Sequence, residues 1–306
     1  AYFQYVANRA LLDARRTSLR EAQENLSATQ ERRRVGLATI ADELQARTAA
    51  SQAQLAQETT EGDVLTTRGA LAFALGLPAN VPYDIDSTSL NVPVSALVDS
   101  VDGLIDAATR ERPDLAAARA EVAAASGRVS QARSNRLPAL TLNATGGRTY
   151  ATSIPDGANS YTVSVGLSIP LFSGFIREYN QKAFEADRDA ASARADALGS
   201  QVVYEVFSAY YALQTATRSV RTADDLVASA RESNEVALGR YRAGVGTFLD
   251  LLSAQSALAD ARAQQVQARL NWNVFLAQLA RAAGILDTRG GSSLRLVPDT
   301  GATPRQ

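Results

Sequence analysis

The chain has no cysteine, no histidine and no methionine in its 306 residues. Without cysteine there can be no disulfide and no thiol nucleophile, and with histidine missing too the usual zinc ligand sets are excluded. A Ser-His-Asp triad is excluded on the same ground. Charge of one sign is also lacking: 31 Lys and Arg against 32 Asp and Glu leave a formal net charge of -1. A nucleic-acid binder needs a basic face or stripe, which this balance does not favour. No run approaches the roughly 18 apolar residues of a helical membrane span. Aromatic residues make up only 6% of the chain, and alanine does much of the apolar work. That composition suits long, closely packed helices better than a large globular core. Because methionine is absent, residue 1 is not a natural initiator, and residues 1–12 (AYFQYVANRALL) already read as helix with no cap and no signal-peptide pattern. A piece of a longer chain is therefore expected.

What the chain does contain is a long internal repeat. Arg240 to Ala261 reads RYRAGVGTFLDLLSAQSALADA, and Arg32 to Ala53, 208 positions earlier, reads RRRVGLATIADELQARTAASQA. The same shift pairs Gly36 with Gly244, Thr39 with Thr247, Asp42 with Asp250, Leu71 with Leu279 and Gly76 with Gly284, without a gap. A period this long means two duplicated halves rather than a solenoid array. Each copy has a helix, a glycine turn, a threonine, an aspartate and a second Ala-rich helix. Each is thus the tip of a long helical hairpin.

Helix is expected over residues 1–34 and 38–75, stopped by Gly76-Leu77-Pro78. Residues 78–100 read as linker, helix resumes near 101–110, and another helix opens at Pro113. From about Phe175 to Gly239 there is no proline, and the helix after the second tip carries a heptad seam from Leu251 through Leu258, Trp272 and Leu279 to Ala282. The domain map expected is a first helical hairpin over 1–77, a linker over 78–112 and a helix over 113–136. A β-barrel hairpin over 137–172, the second helical hairpin over 173–285 and a flexible tail over 286–306 complete it.

Two short segments have a different period. Ala139 to Thr145 and Tyr161 to Ser168 alternate apolar with small polar residues, which is the signature of a strand. The stretch from Gly146 to Ser160 is rich in Gly, Pro, Asn and Asp and reads as the connection. A lone hairpin is marginal in water, whereas alternation of this kind suits a barrel wall in lipid. Leu140, Leu142, Tyr161, Val163, Val165, Leu167 and Ile169 form the candidate lipid-facing set, and Tyr150, Tyr161, Phe172 and Phe175 flank the strands as interfacial aromatics would. The repeat implies a matching hairpin in the first half, which would fall before residue 1. Four strands cannot close a barrel, so the complete protein is expected to oligomerise.

These features together resemble the TolC-like outer-membrane efflux proteins. The resemblance is carried by the paired tips VGLATIAD (35–42) and AGVGTFLD (243–250), the strand exit SIPLFSG (168–174) and the phrase ERPDLAAAR (111–119). It implies a mainly α fold with a β-hairpin: antiparallel coiled-coil hairpins forming an α-barrel tunnel in the periplasm, and strands contributing to a trimeric transmembrane β-barrel. It implies a homotrimer in the Gram-negative outer membrane, a passive exit duct for efflux or type I secretion. An inner-membrane pump would supply energy and a periplasmic adaptor would dock on the tips. Neither a cofactor nor enzymatic activity is implied. Residue by residue, Asp250 matches a pore-constriction aspartate, and a second family aspartate is Ser253 here. Asp42 and Tyr241 match a hydrogen-bonded gate latch, while the arginine that assists it corresponds to Gly246. Val35, Gly36, Leu37, Ala243, Gly244 and Val245 match the adaptor-contacting turns.

Each assignment has a plainer counterpart. Asp42 and Asp250 would also complement a helix dipole, Tyr241 would pack, and Arg32, Arg33 and Arg34 would form a solvated face. Asp99, Asp102 and Asp106, at i, i+3 and i+7, suit a wet helix face better than a metal site. The rival functional reading is a non-conducting periplasmic coiled-coil adaptor or scaffold, which would carry one hairpin flanked by lipoyl or barrel strands rather than two hairpins 208 residues apart.

Overall fold

Ten elements appear in the computed structural model, which describes residues 1–80, 95–97, 100–151, 154–285 and 296–298. They are α1 (Tyr2–Arg34), α2 (Ile40–Ala74), β1 (Ser95–Leu97), α3 (Val101–Glu111), α4 (Pro113–Ser134), β2 (Ala139–Ala151), β3 (Ile154–Ser168), α5 (Ile176–Arg242), α6 (Phe248–Ala282) and β4 (Leu296–Pro298). The fold is mainly α with one antiparallel β2–β3 hairpin, as expected. Among the described residues no helix is long and apolar enough to cross a membrane. Asp99 and most of the expected linker and tail lie outside the described residues. Two three-residue stretches within that linker and tail do pair, β1 with β4, antiparallel, with Ala96 opposite Val297. Local composition could not show this, because backbone pairing between segments this far apart leaves no side-chain period behind.

The helix bounds follow from the punctuation of the sequence. Pro113 opens α4 as its first residue, where a missing N–H costs nothing. Gly76 closes α2 in the left-handed region, at φ 73°, with the Leu77 N–H donating to the Ala72 carbonyl at 2.9 Å. That is a Schellman ending, which satisfies carbonyls the helix itself leaves open.

The described residues fall into two compact units, one made of residues 1–104 and 205–306, the other of 105–204. In the first unit the α1–α2 hairpin lies beside α6. Buried residues on α5 run Val206, Ala209, Leu213, Ala216, Val220, Ala223, Val227 and Ala230, alternating steps of three and four, the spacing of a coiled-coil seam. The seam expected on α6 is buried at Leu251, Leu258, Ala261, Trp272, Leu279 and Ala282. Val227 and Ala230 pack on Leu258 and Ala261, so small residues let α5 and α6 come close. Polar contacts pin the register: the Trp272 indole donates to the Thr217 hydroxyl at 3.1 Å and the Gln265 amide to Asp224 at 2.6 Å. Between α6 and α1, Arg262 forks onto Glu21 at 3.1 Å.

In the second unit α4 and the first turns of α5 are joined by Arg133–Glu185 at 3.1 Å and by Arg177 donating to the Asn135 carbonyl at 2.6 Å. Hydrogen bonds from Gln181 and Arg133 hold the Glu185 carboxyl below its ordinary range. Between these helices lies the hairpin, in which Leu140 faces Leu167, Leu142 faces Val165 and Ala144 faces Val163. The intervening pairs are Thr141 with Gly166, Asn143 with Ser164 and Thr145 with Thr162. One face of the ribbon is therefore apolar and the other small and polar, and this register puts like beside like.

The strands are longer than the alternation suggests. The stretch expected to be a connection, Gly146 to Ser160, is mostly strand: Gly147 pairs with Ser160 and Arg148 with Asn159. Ladder bonds come from the backbone, so Gly and Asn weaken a strand without forbidding it. With 13 residues in β2, the ribbon spans roughly 44 Å at about 3.4 Å per residue, more than a bilayer core requires.

Candidate functional site

The two tips are the part of the fold where chemistry concentrates, and they share the same glycine turn and the same helix cap. Gly36 and Gly244 both sit at φ 78°, a left-handed conformation that glycine adopts without strain. The Leu37 N–H donates to the Arg32 carbonyl at 2.7 Å, and its counterpart Val245 N–H donates to the Arg240 carbonyl at 3.0 Å. Each following helix then opens with a capping box. Thr39 and Asp42 exchange bonds at α2, the Asp42 N–H donating to the Thr39 hydroxyl at 3.1 Å and the Thr39 N–H to the Asp42 carboxylate at 2.8 Å. Thr247 and Asp250 do the same at α6, at 3.1 and 3.2 Å. Reciprocal bonds of this kind satisfy donors that the first helical turn leaves open.

Asp250 and Ser253 are exposed, three residues apart and so on the same side of α6. Bonds from Thr247, and then the nearby charge of Arg240, hold the Asp250 carboxyl below its ordinary range. It therefore carries its negative charge at neutral and mildly acid pH. Val35, Gly36, Leu37, Ala243, Gly244 and Val245 are all exposed, with Leu37 and Val245 each 69% accessible. The tips thus show bare apolar side chains to their surroundings. The strand residues Leu140, Leu142, Tyr161, Val163, Val165 and Leu167, with Ile169 just beyond β3, are exposed as well.

Asp42 and Tyr241 are brought to the same end of the unit but do not hydrogen-bond. The Asp42 carboxylate accepts from the Thr39 N–H and hydroxyl, and the Tyr241 hydroxyl is buried without a partner among the described residues. Tyr241 instead packs its ring against Phe248 at 5.5 Å. It belongs to a cluster with Leu251 and, from the other hairpin, Ala46. At Gly246, a Cβ would lie 3.0 Å from the Arg240 Cβ and 3.2 Å from its backbone, so a side chain there would crowd the turn.

The three arginines expected as one solvated face have three different surroundings. Arg34 pairs with Glu31 at 2.7 Å on the surface. Arg33 joins Glu43, which also takes Arg47 at 3.0 Å. Arg32 lies with its guanidinium carbon 4.6 Å from the centre of the Tyr241 ring. Glu43 was not singled out from the sequence, although the repeat held the signal: its counterpart at +208 is the core residue Leu251. A charged residue facing a core position in its own duplicate needs buried partners.

Among the described residues no group of three acidic side chains is placed to hold a metal, and the geometry offers charge, apolar surface and packing rather than a reactive group. The model of the outer membrane efflux protein family matches residues 1–77 and 104–285. The pyoverdine export outer membrane protein OpmQ of Pseudomonas putida is 31% identical over 299 residues, 95% of this chain and 60% of its own length. The outer membrane protein TolC of Vibrio cholerae is 28% identical, covering 94% of this chain and 66% of the relative. The chain thus spans about three fifths of the length of the first of these relatives. Among solved structures, a membrane protein from Pseudomonas aeruginosa superposes with a TM-score of 0.79 at 24% identity, over 92% of this chain and 66% of that one. The outer membrane protein VceC from Vibrio cholerae does so with a TM-score of 0.75 at 20% identity, over 92% and 67%; both likenesses establish the shared fold. The family is one of transport channels, not enzymes. Since its model lies across both helical hairpins and the strands between them, the chain belongs to the outer membrane efflux protein family, a family of the Gram-negative outer membrane with its helices in the periplasm.

Proposed function

We propose that this chain supplies the periplasmic helices and one barrel hairpin of a passive exit duct serving a tripartite efflux or type I secretion system. Three copies of the complete protomer close a β-barrel in the outer membrane and a helical tunnel beneath it. Leu140, Leu142, Tyr161, Val163, Val165, Leu167 and Ile169 face lipid, and Tyr150, Phe172 and Phe175 sit at its interfaces. The exposed apolar residues of α2, Leu44, Leu55 and Leu65, are left for a neighbouring copy. A periplasmic adaptor contacts the turns at Val35, Gly36, Leu37 and Ala243, Gly244, Val245, and an inner-membrane pump provides the driving force.

Asp250, with Ser253 one turn further in, lines the periplasmic constriction. Three such carboxylates around an axis attract cations and resist anions. Opening parts the hairpins at their tips, where Tyr241 of the second meets the first and Asp42 caps α2. The observation that carries this reading is the hairpin register. Leu140, Leu142 and Ala144 face Leu167, Val165 and Val163 on one uninterrupted apolar face, which water penalises and a lipid-facing barrel wall requires.

Planar-bilayer conductance of the complete protein tests it. Small, cation-selective openings are expected, with selectivity weakened by Asp250→Ala. Silence from folded trimers under all conditions, adaptor included, would sink the duct reading.

A further inference from the structure

We infer that the two helical hairpins of this chain are tied at their tips by Arg32 acting on the ring and backbone of Tyr241, and that the Tyr241 hydroxyl takes no part. Arg32 is thus a positioning residue for the closed gate, an inference that rests on the gated-duct reading above.

Four observations carry it. Arg32 stands in the last turn of α1 and Tyr241 in the last turn of α5, so a bond between them joins one hairpin to the other. The guanidinium lies over the ring at 4.6 Å, inside the range in which a cation is drawn to an aromatic face. One of its nitrogens also reaches the Tyr241 carbonyl at 3.5 Å, which fixes the orientation of the stack. The ring itself also packs against the cluster that contains Phe248 and Leu251, so little freedom is lost when the cation settles on it.

The alternatives are already committed elsewhere. The Asp42 carboxylate serves the Thr39 cap, and the Tyr241 hydroxyl is buried with no partner among the described residues. Arg33 pairs with Glu43 and Arg34 with Glu31, which leaves Arg32 as the arginine of that triplet that reaches across. The repeat shows why the tie runs one way. The +208 counterpart of Arg32 is Arg240, and the position that would mirror Tyr241 is Arg33. At this mirrored pair of positions only the second tip has an aromatic ring, Tyr241, so Arg240 has no ring counterpart in the first tip and the cation of the tie is Arg32.

This chain brings no cysteine of its own to a labelling test, and any in the rest of the complete protein is first replaced by serine. Leu37→Cys and Val245→Cys place spin labels on the two exposed turns of the complete protein, diluted into unlabelled subunits, and pulsed dipolar spectroscopy reads their separation. Arg32→Gln and Tyr241→Leu should each shift the closed-to-parted ratio about two- to five-fold towards parted tips, the size of an exposed cation–π contact. Combined, they should do little more than either alone, since they remove one shared contact. Tyr241→Phe, which keeps the ring, should leave the separation within the parent distribution. If Tyr241→Phe parts the tips as far as Tyr241→Leu, the hydroxyl is the tie and the inference is overturned. It is equally overturned if Arg32→Gln leaves the tips closed. Conductance is recorded on the same variants: parted tips without a change in conductance would uphold the tie and refute the gate.

Discussion

Glu43 and Leu251 occupy equivalent places in the two tips and are held there by opposite chemistry. Leu251 is 1% accessible and packs with Phe248 and Tyr241. Glu43, its counterpart, has a side chain 9% accessible and set between Arg33 and Arg47. Both tips keep the glycine at φ 78° and the capping box, so the exchange of an ion cluster for an apolar one leaves these backbone features in place. Tyr241 itself corresponds to Arg33, and Phe248 to Ile40.

Glu43→Gln should therefore lower the melting temperature, because it strands two guanidinium groups that have been partly withdrawn from water. Glu43→Leu alone should be as harmful, whereas Glu43→Leu with Arg33→Tyr, which copies the second tip, should recover much of the loss. Thermal unfolding followed by circular dichroism checks this. Equal damage from the single and double variants would show that the two tips are not interchangeable. The pH dependence has a definite sign. Bonds from Arg33, aided by its charge and that of Arg47, hold the Glu43 carboxyl below its ordinary value. Its stabilisation is then present above the unfolded carboxyl's titration range and is lost as pH falls through the lower folded value. Glu43→Gln should flatten that acid limb.

Asp250 has two separable roles, and an asparagine separates them. Asp250→Asn can still accept the Thr247 N–H, so stability should hold while cation selectivity of the complete protein falls. Thr247→Ala should do the reverse, costing about 1 kcal/mol by loss of the cap with selectivity preserved. Because the Asp250 carboxyl titrates below its usual range, selectivity should persist as pH drops through ordinary carboxylate values near 4 and fail only beneath them. Unchanged reversal potentials in Asp250→Asn would remove the acidic ring from the proposal.

Gly246 should resist replacement. A Cβ placed there meets Arg240 at 3.0 Å, so Gly246→Arg, which restores the residue type the resemblance implies, should strain the turn rather than build a latch. A loss of roughly 1–3 kcal/mol, the scale of overpacking, is expected in chemical denaturation. A stabilised, less conductive variant would contradict the crowding seen at the turn.

The hairpin faces should differ sharply in tolerance. Val163→Lys or Leu142→Arg, on the apolar face, should cost about 2–4 kcal/mol near the bilayer midplane when the complete protein unfolds from lipid vesicles. Ser164→Lys, one residue away on the polar face, should cost far less. Equal costs on both faces would mean that the ribbon does not present one face to lipid.

Much of this architecture is legible in the chain alone because helices leave local signals. Gly76, Pro113 and the Gly-x-x-Thr-x-x-Asp tips mark ends through backbone demands, and the Leu251–Ala282 seam marks a buried face through its spacing. What escaped are features made by partners distant in sequence. The continuation of the strands through Gly146 to Ser160 depends on the opposite strand being there, not on β-formers. The β1–β4 pairing joins segments some 200 residues apart and leaves no side-chain pattern. The division of Arg32, Arg33 and Arg34 among a ring and two carboxylates looks, in sequence, like a single basic run. Asp42 and Tyr241 are readable as tip residues, and Thr39-x-x-Asp42 carries the capping-box pattern, whereas the burial of the Tyr241 hydroxyl depends on neighbours distant in sequence.

The unlike interiors of the two tips also make them answer to different conditions. Apolar contacts such as those of Leu251 and Phe248 weaken on cooling, since their driving force near room temperature is entropic. Ionic contacts such as those of Glu43 with Arg33 and Arg47 weaken as dissolved ions accumulate or as the carboxyl gains a proton. Cold thus loosens the apolar cluster around Leu251, and brine or acid the ion cluster around Glu43. A matched pair of tips would have a single weakness; this pair has two, and they can be probed one at a time.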